Sequence, residues 1–294
     1  MAQFSASDAA LEGFRVTRER PRAVLAWGLV YIAGVALILG VVFAVAGAAV
    51  LELMRRGDEA SPEETLAAFA PVVPALLLAF PAMLLLGAVL LAAIYRAVLR
   101  PADSARAYLR LGGDELRLVL VSLILGVLWA VGLLVVLFAV VALYQVAAPV
   151  GVLAGLAAVP LLIWVAVRLS FAGPMTFTEG KVNVFGSWRL TRGRFWPLFG
   201  AYVLAFVMAI LISLLSGVIS SALLAVFGGG ISALAQANNP DFSKFGPGLA
   251  LGFGLYALVQ LIAAVLQMII QSAPPAAAYR DITGYGRNTA EVFS

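Results

Sequence analysis

The side chains of this sequence best suited to gripping another molecule are arginines, and they recur in one spacing. Phe14-Arg15-Val16-Thr17-Arg18-Glu19-Arg20 and Trp188-Arg189-Leu190-Thr191-Arg192-Gly193-Arg194 both read aromatic, Arg, aliphatic, Thr, Arg, any residue, Arg. Each stands just before a long apolar run. Residues three apart are neighbours on a helix, so Arg15 with Arg18, and Arg189 with Arg192, can present two guanidiniums to one phosphate. Paired guanidinium hydrogen bonds of that kind are not reproduced by a lysine ammonium. The sharper of two readings is a clasp for anionic lipid headgroups. Arg96, Arg168 and Arg280, at the far ends of later runs, would complete it, with Arg110 in a weaker third copy, Leu109-Arg110-Leu111. The simpler reading makes the same residues orientation signals and snorkelling anchors, each worth about 1 kcal/mol beside an anionic leaflet.

Little else in the chain could do chemistry. Histidine and cysteine are absent, which removes the commonest general base, the commonest zinc ligand and any disulfide framework. No charged residue stands near the middle of an apolar run, where ion pathways and proton relays usually place one. Gly112-Gly113-Asp114-Glu115-Leu116 has the letters of a cyclase motif without its soluble domain. Phe227-Gly228-Gly229-Gly230 lacks the lysine of a phosphate loop. The basic segments are too short, and too far from any soluble module, to suit nucleic acid. The expectation is a protein that is not an enzyme and uses no cofactor or metal, with membrane lipids, chiefly anionic, and other inner-membrane proteins as its partners.

The elements that must position these arginines follow from composition. Of 294 residues, 63% are hydrophobic and 12% charged, and the mean hydropathy is +1.05, far outside the soluble range. With 17 arginines to two lysines and abundant Ala, Gly, Val and Leu, the composition suggests a GC-rich bacterial genome, and hence the bacterial inner membrane. A spanning helix needs about 20 apolar residues. Six runs qualify, at 23–53, 71–99, 116–143, 146–173, 196–227 and 248–273. Residues 1–294 are therefore expected to form a single all-α polytopic membrane domain. The first run is too long for the core of a cleaved signal peptide and is expected to remain as a helix. Lys and Arg are retained in cytoplasmic loops. With both termini in the cytoplasm, sixteen of the 19 basic residues fall inside and only Arg55, Arg56 and Lys244 outside. An odd number of spans would destroy that asymmetry.

The runs group into three units. "AAIYR" closes the second run at Arg96, "AAAYR" closes the sixth at Arg280, and Arg168 closes the fourth. Each unit then comprises a short basic helix, an outgoing span and a span returning to an arginine. Local signals predict the short helices: a cap at Ser7, a cap at Asp103 or Ser104 before "SARAYLRL" with Gly112-Gly113 ending it, and capping-box spacing between Thr176 and Glu179. Such helices suit the plane of the membrane interface. Ser61-Pro62-Glu63-Glu64 predicts an outer helix start, and residues 228–248 an irregular outer loop.

Within the spans the polar residues are few. Ser213, Ser216 and Ser220, with Gly217 among them, lie opposite Gln260 and Gln267 if the fifth and sixth spans pair, and are expected to serve helix packing. Gly151 with Gly155, and Gly248 with Gly252, have the spacing for close helix approach. Pro81 and Pro160 are expected to kink the second and fourth spans.

"RLSFAGPMTFTEG", "VFGSWRLTRGRFWPLFGAYVL" and the later "PPAAAYRDITG" give the last two thirds of the chain a style that resembles bacterial polytopic proteins grouped under the glycerophosphoryl diester phosphodiesterase membrane-domain heading, and related uncharacterised inner-membrane families. In some of those proteins the membrane domain is joined to a soluble phosphodiesterase domain. These 294 residues contain neither that domain nor a histidine, so no catalytic residue carries over. The resemblance implies a lipid-adjacent membrane role. The expected function is that of a scaffold, assembly factor or accessory subunit of a larger membrane complex. The alternative is a lipid-handling protein or transporter that recognises anionic headgroups at the cytoplasmic surface.

Overall fold

A computed structural model describes residues 5–56, 63, 67, 69–227 and 247–286. The helices are α1 (Ala6–Glu19), α2 (Pro21–Arg56), α3 (Val72–Leu99), α4 (Gly113–Val146), α5 (Ala148–Leu169), α6 (Ala172–Glu179), α7 (Gly186–Leu190), α8 (Phe195–Phe227) and α9 (Pro247–Thr283). No strand occurs among the described residues. Helices α2, α3, α4, α5, α8 and α9 are long and apolar enough to cross a membrane, making this an all-α, six-span chain. Apart from Glu63 and Pro247-Gly248, the expected outer helix start and outer loop lie outside the described residues, as do Lys244 and Arg287.

Successive spans pack as antiparallel hairpins, α2 on α3, α4 on α5 and α8 on α9. Only Ala147 separates α4 from α5. There Gly151 lies so close to the Tyr144 backbone that an added Cβ would sit 2.5 Å from its Cα. Gly155 faces Val140 at ordinary distance, and Gly248 at the start of α9 faces the Phe227 carbonyl at the end of α8. Gly252 is buried, whereas nothing approaches Gly217. Gln267 Nε2 donates to Ser213 Oγ at 2.8 Å, tying α9 to α8. Gln260 Nε2 donates to Tyr256 Oη on its own helix, at 3.5 Å. Ser216 and Ser220 are buried. Pro81, Pro160 and the pair Pro274-Pro275 are accommodated inside α3, α5 and α9.

Packing is concentrated at one end of the bundle. The core gathers Ala88, Ala92, Ala93 and Ala97 of α3, Ala273 and Ala276–Ala278 of α9, Leu198 and Ala201 of α8, and Ala9 and Ala10 of α1. Small residues dominate because lipid supplies no hydrophobic drive for helix association, so close backbone approach must hold the helices together. The other halves of the spans show leucine, valine and phenylalanine outward, among them Leu37, Phe43, Leu77, Phe80, Phe138, Leu153, Leu214 and Leu251. The most apolar stretch of the α4 span has none of its residues buried.

The short segments depart from expectation in three places. Helix α1 is capped by Ser5, whose Oγ accepts from the Asp8 amide at 3.3 Å, two residues before the expected Ser7. The segment from Ser104 forms only a 3-10 turn, Ala105–Tyr108. Arg106, Ala107 and Tyr108 take left-handed φ values of 52°, 55° and 67°, at roughly 1–2 kcal/mol each for residues with a Cβ. The turn offers carbonyls to two buried donors: Ala107 accepts from Trp27 Nε1 at 2.7 Å and Tyr108 from Arg96 Nη1 at 2.8 Å. A regular helix would use those carbonyls internally. Thr176 and Glu179 begin no helix. They lie within α6, which Gly180 ends with φ 65°, and Thr176 Oγ1 instead accepts from the Asn183 amide.

Candidate functional site

The packed end brings together every arginine that closes a returning span and every segment that leads into an outgoing one. Helix α1 presents its small-residue face to α9, and with it the buried side chain of Glu12, 3% exposed. Glu12 Oε1 accepts from Arg280 Nη1 of α9 at 3.1 Å and from Arg15 Nη2 at 2.6 Å. Arg280 also contacts Asp281 at 3.1 Å and the Val98 carbonyl of α3 at 3.4 Å. Leu11 and Phe14 stay exposed beside Arg15 and Arg18, and these four, with Asp8 and Glu12, line one surface groove.

The second junction follows the same plan. Arg96, which closes α3, is 2% exposed and its Nη2 donates to Glu115 Oε1 at the start of α4. Glu115 is 1% exposed. Asp114 collects Arg117 at 2.9 Å, Arg96 at 3.8 Å and Arg100 at 3.9 Å. Phe177 of α6 lies under both cations, 5.7 Å from Arg96 and 4.7 Å from Arg100, a geometry in which the ring quadrupole attracts them. Arg20 donates to the Ala97 carbonyl and lies 5.2 Å from the Tyr108 ring. Arg110, on the exposed side, pairs with Asp103.

The third junction has an arginine with no carboxylate on it among the described residues. Arg168 closes α5, and its backbone carbonyl accepts from Ser187 Oγ at 2.6 Å and Thr191 Oγ1 at 3.4 Å. The guanidinium lies beside a pair of indoles, 5.3 Å from Trp164 and 5.8 Å from Trp188, which meet edge to face at 4.9 Å. Its Nε and Nη1 are buried with no hydrogen-bond partner. Arg189 in α7 and Arg192 in the following turn are exposed.

The eight arginines therefore do not share one site. They fall into three junctions, where Arg96 and Arg280 are engaged by protein carboxylates while Arg18, Arg189 and Arg192 lie on the surface. Sequence reasoning missed Glu12 and Glu115. Each is a lone buried acid in a basic lead-in segment, three and two residues before an arginine, and pairing them with the "AAxYR" arginines would have exposed them. Among the described residues no cluster of acids has the makings of a metal site. Compared with family models, curated proteins and solved structures, the chain matches none of them, so its reading rests on this geometry.

Proposed function

We propose that this chain is a non-enzymatic protein of a bacterial inner membrane, with both termini in the cytoplasm, that serves as a scaffold or accessory subunit of a larger membrane complex. The observation that carries the reading is how the charge is spent. Arg96 and Glu115, 2% and 1% exposed, lock α3 to α4, and Glu12, which borders a surface groove, is held there by Arg280 and Arg15. A site for acid–base chemistry needs such groups poised toward a substrate. Meanwhile the other halves of the spans present a broad apolar surface suited to lipid or to a second membrane protein.

Purification in a gentle detergent should recover a stoichiometric protein partner with the chain. Recovery of a lone monomer or homo-oligomer holding lipid would overturn the scaffold reading in favour of a lipid-handling one. The acid-poor third junction supports that second reading, because Lys181, Arg189, Arg192 and Arg194 are accompanied by one acid, Glu179, in the whole of 169–240. Relationship to the phosphodiesterase membrane-domain families belongs with it, as a lipid-adjacent role.

The orientation has its own test. The junction arginines gather at one end of the bundle, and positive charge is retained on the cytoplasmic side. Reporter fusions after Arg20, Arg106 and Gly193 should read cytoplasm, and fusions near Glu63 and Asn239 the outside. A cytoplasmic signal at either outer position would refute the six-span topology.

A further inference from the structure

We propose that Arg168 is the receptor of a phosphate-binding site at the third junction, and that the phosphate of an anionic glycerophospholipid fills the place that glutamates take at the other two. The three junctions form a cycle. The arginine closing α3 meets the lead-in to α4, the arginine closing α9 meets the lead-in to α2, and the arginine closing α5 meets the lead-in to α8. In the first two, a buried carboxylate waits for the guanidinium. In the third, the alignment that pairs Phe14 with Trp188 puts Gly186 where Glu12 stands.

An acid at that position would have to displace the ends of two neighbouring side chains. A Cβ on Gly186 would lie 2.6 Å from the Asn183 side chain and from Met175 Cε. Glu179, the one nearby acid in sequence, accepts from Asn183 Nδ2 at 3.0 Å. Arg168 is thus left with two buried donors unpartnered among the described residues, and a buried donor without a partner costs about 1–3 kcal/mol. Both indoles lie within cation–π reach of the guanidinium, and an indole, whose N–H only donates, supplies no acceptor for the Nε and Nη1 that want one. A planar fork of N–H donors matches two oxygens of a phosphate.

Depth selects the source of that oxyanion. Arg168 stands one residue before the end of α5. Trp164 and Trp188 beside it, with Trp196 at the head of α8, are the residue type that settles at the headgroup level. The exposed Arg189, Arg192 and Arg194 add positive potential on the same lead-in segment, worth about 1 kcal/mol per basic residue against an anionic leaflet. A lipid phosphate is the anion held at this level by the membrane itself.

The experiment uses the whole chain in detergent with defined lipids. Native mass spectrometry should show phosphatidylglycerol retained by the wild type, and retention about tenfold weaker in Arg168→Lys, which keeps the charge but loses the second hydrogen bond. Dioleoylglycerol, which lacks phosphate, should not be retained by either. Equal retention of phosphatidylglycerol by wild type and Arg168→Lys overturns the site. Phenylglyoxal labelling of the wild type, read by peptide mass spectrometry, needs no variant to fold. Labelling at Arg168 should fall with phosphatidylglycerol and not with dioleoylglycerol. Protection by inorganic phosphate alone would keep the oxyanion chemistry and overturn the lipid as its source, while protection only by a co-purifying protein would overturn both. The inference rests on the placement of this end at a membrane surface and not on the scaffold role: a missing protein partner would fault the latter and leave the labelling pattern intact.

Discussion

Glu115→Ala should destabilise the protein by about 3–5 kcal/mol, the penalty of leaving a buried charge without its partner. Arg96 would remain 2% exposed, with the Tyr108 carbonyl as its close acceptor and Asp114 at 3.8 Å. The 3-10 turn, strained at three left-handed residues, would lose part of what holds it in place. Replacing both partners, as Arg96→Met with Glu115→Leu, should recover most of the loss, because removing both charges also removes the cost of desolvating them. Exposed Arg110→Ala, whose pair with Asp103 has side chains 43% and 34% exposed, should change stability by less than about 1 kcal/mol. Thermal unfolding in detergent separates these cases. A Glu115→Ala variant that melts with the wild type would show that the buried pair contributes nothing to the fold.

The spans were legible because a bilayer demands about 20 apolar residues of each, and Ala92–Arg96 and Ala276–Arg280 repeat strongly enough to mark where two of them return. The hairpins followed from short connections such as Ala147. What the letters hid was the partner of each arginine. Glu12 reads as one side of an i,i+3 surface pair with Arg15, and that pair exists, but the same carboxylate also reaches Arg280, 268 residues away, a contact no local pattern contains. The segment after Ser104 failed for a similar reason. Its propensity favours a helix, but Trp27 and Arg96 need carbonyls there, and tertiary demand outweighs a preference of about 1 kcal/mol or less per residue. Gly186 was invisible as a feature. It acquires meaning only once Glu12 is known to stand, buried and paired, at the aligned position.

Gly13→Val should loosen α1 from the bundle at a cost of about 1–3 kcal/mol, the usual penalty for adding bulk to a packed site. A Cβ at Gly13 would lie 2.7 Å from Ile270 Cα and 3.1 Å from the Ile269 carbonyl. Those are backbone atoms of α9 and cannot swing aside as a side chain would, so α1 must move. Moving it draws Glu12 away from Arg280, since Glu12 adjoins Gly13 in α1 and the 3.1 Å contact depends on the seat that Gly13 provides. The effect therefore combines overpacking with partial exposure of a buried ion pair. The sign is informative, because alanine is favoured over glycine within a helix by up to about 1 kcal/mol. Gly28→Ala in α2, where nothing lies within 4 Å, should be neutral or stabilising, whereas Gly13→Ala should destabilise. Limited trypsin digestion reads the movement directly: cleavage after the exposed Arg15 and Arg18 should be faster in Gly13→Val than in wild type. Unchanged cleavage and unchanged melting in Gly13→Val would mean that α1 does not dock on α9 through this glycine, and that Glu12 reaches Arg280 by some other support.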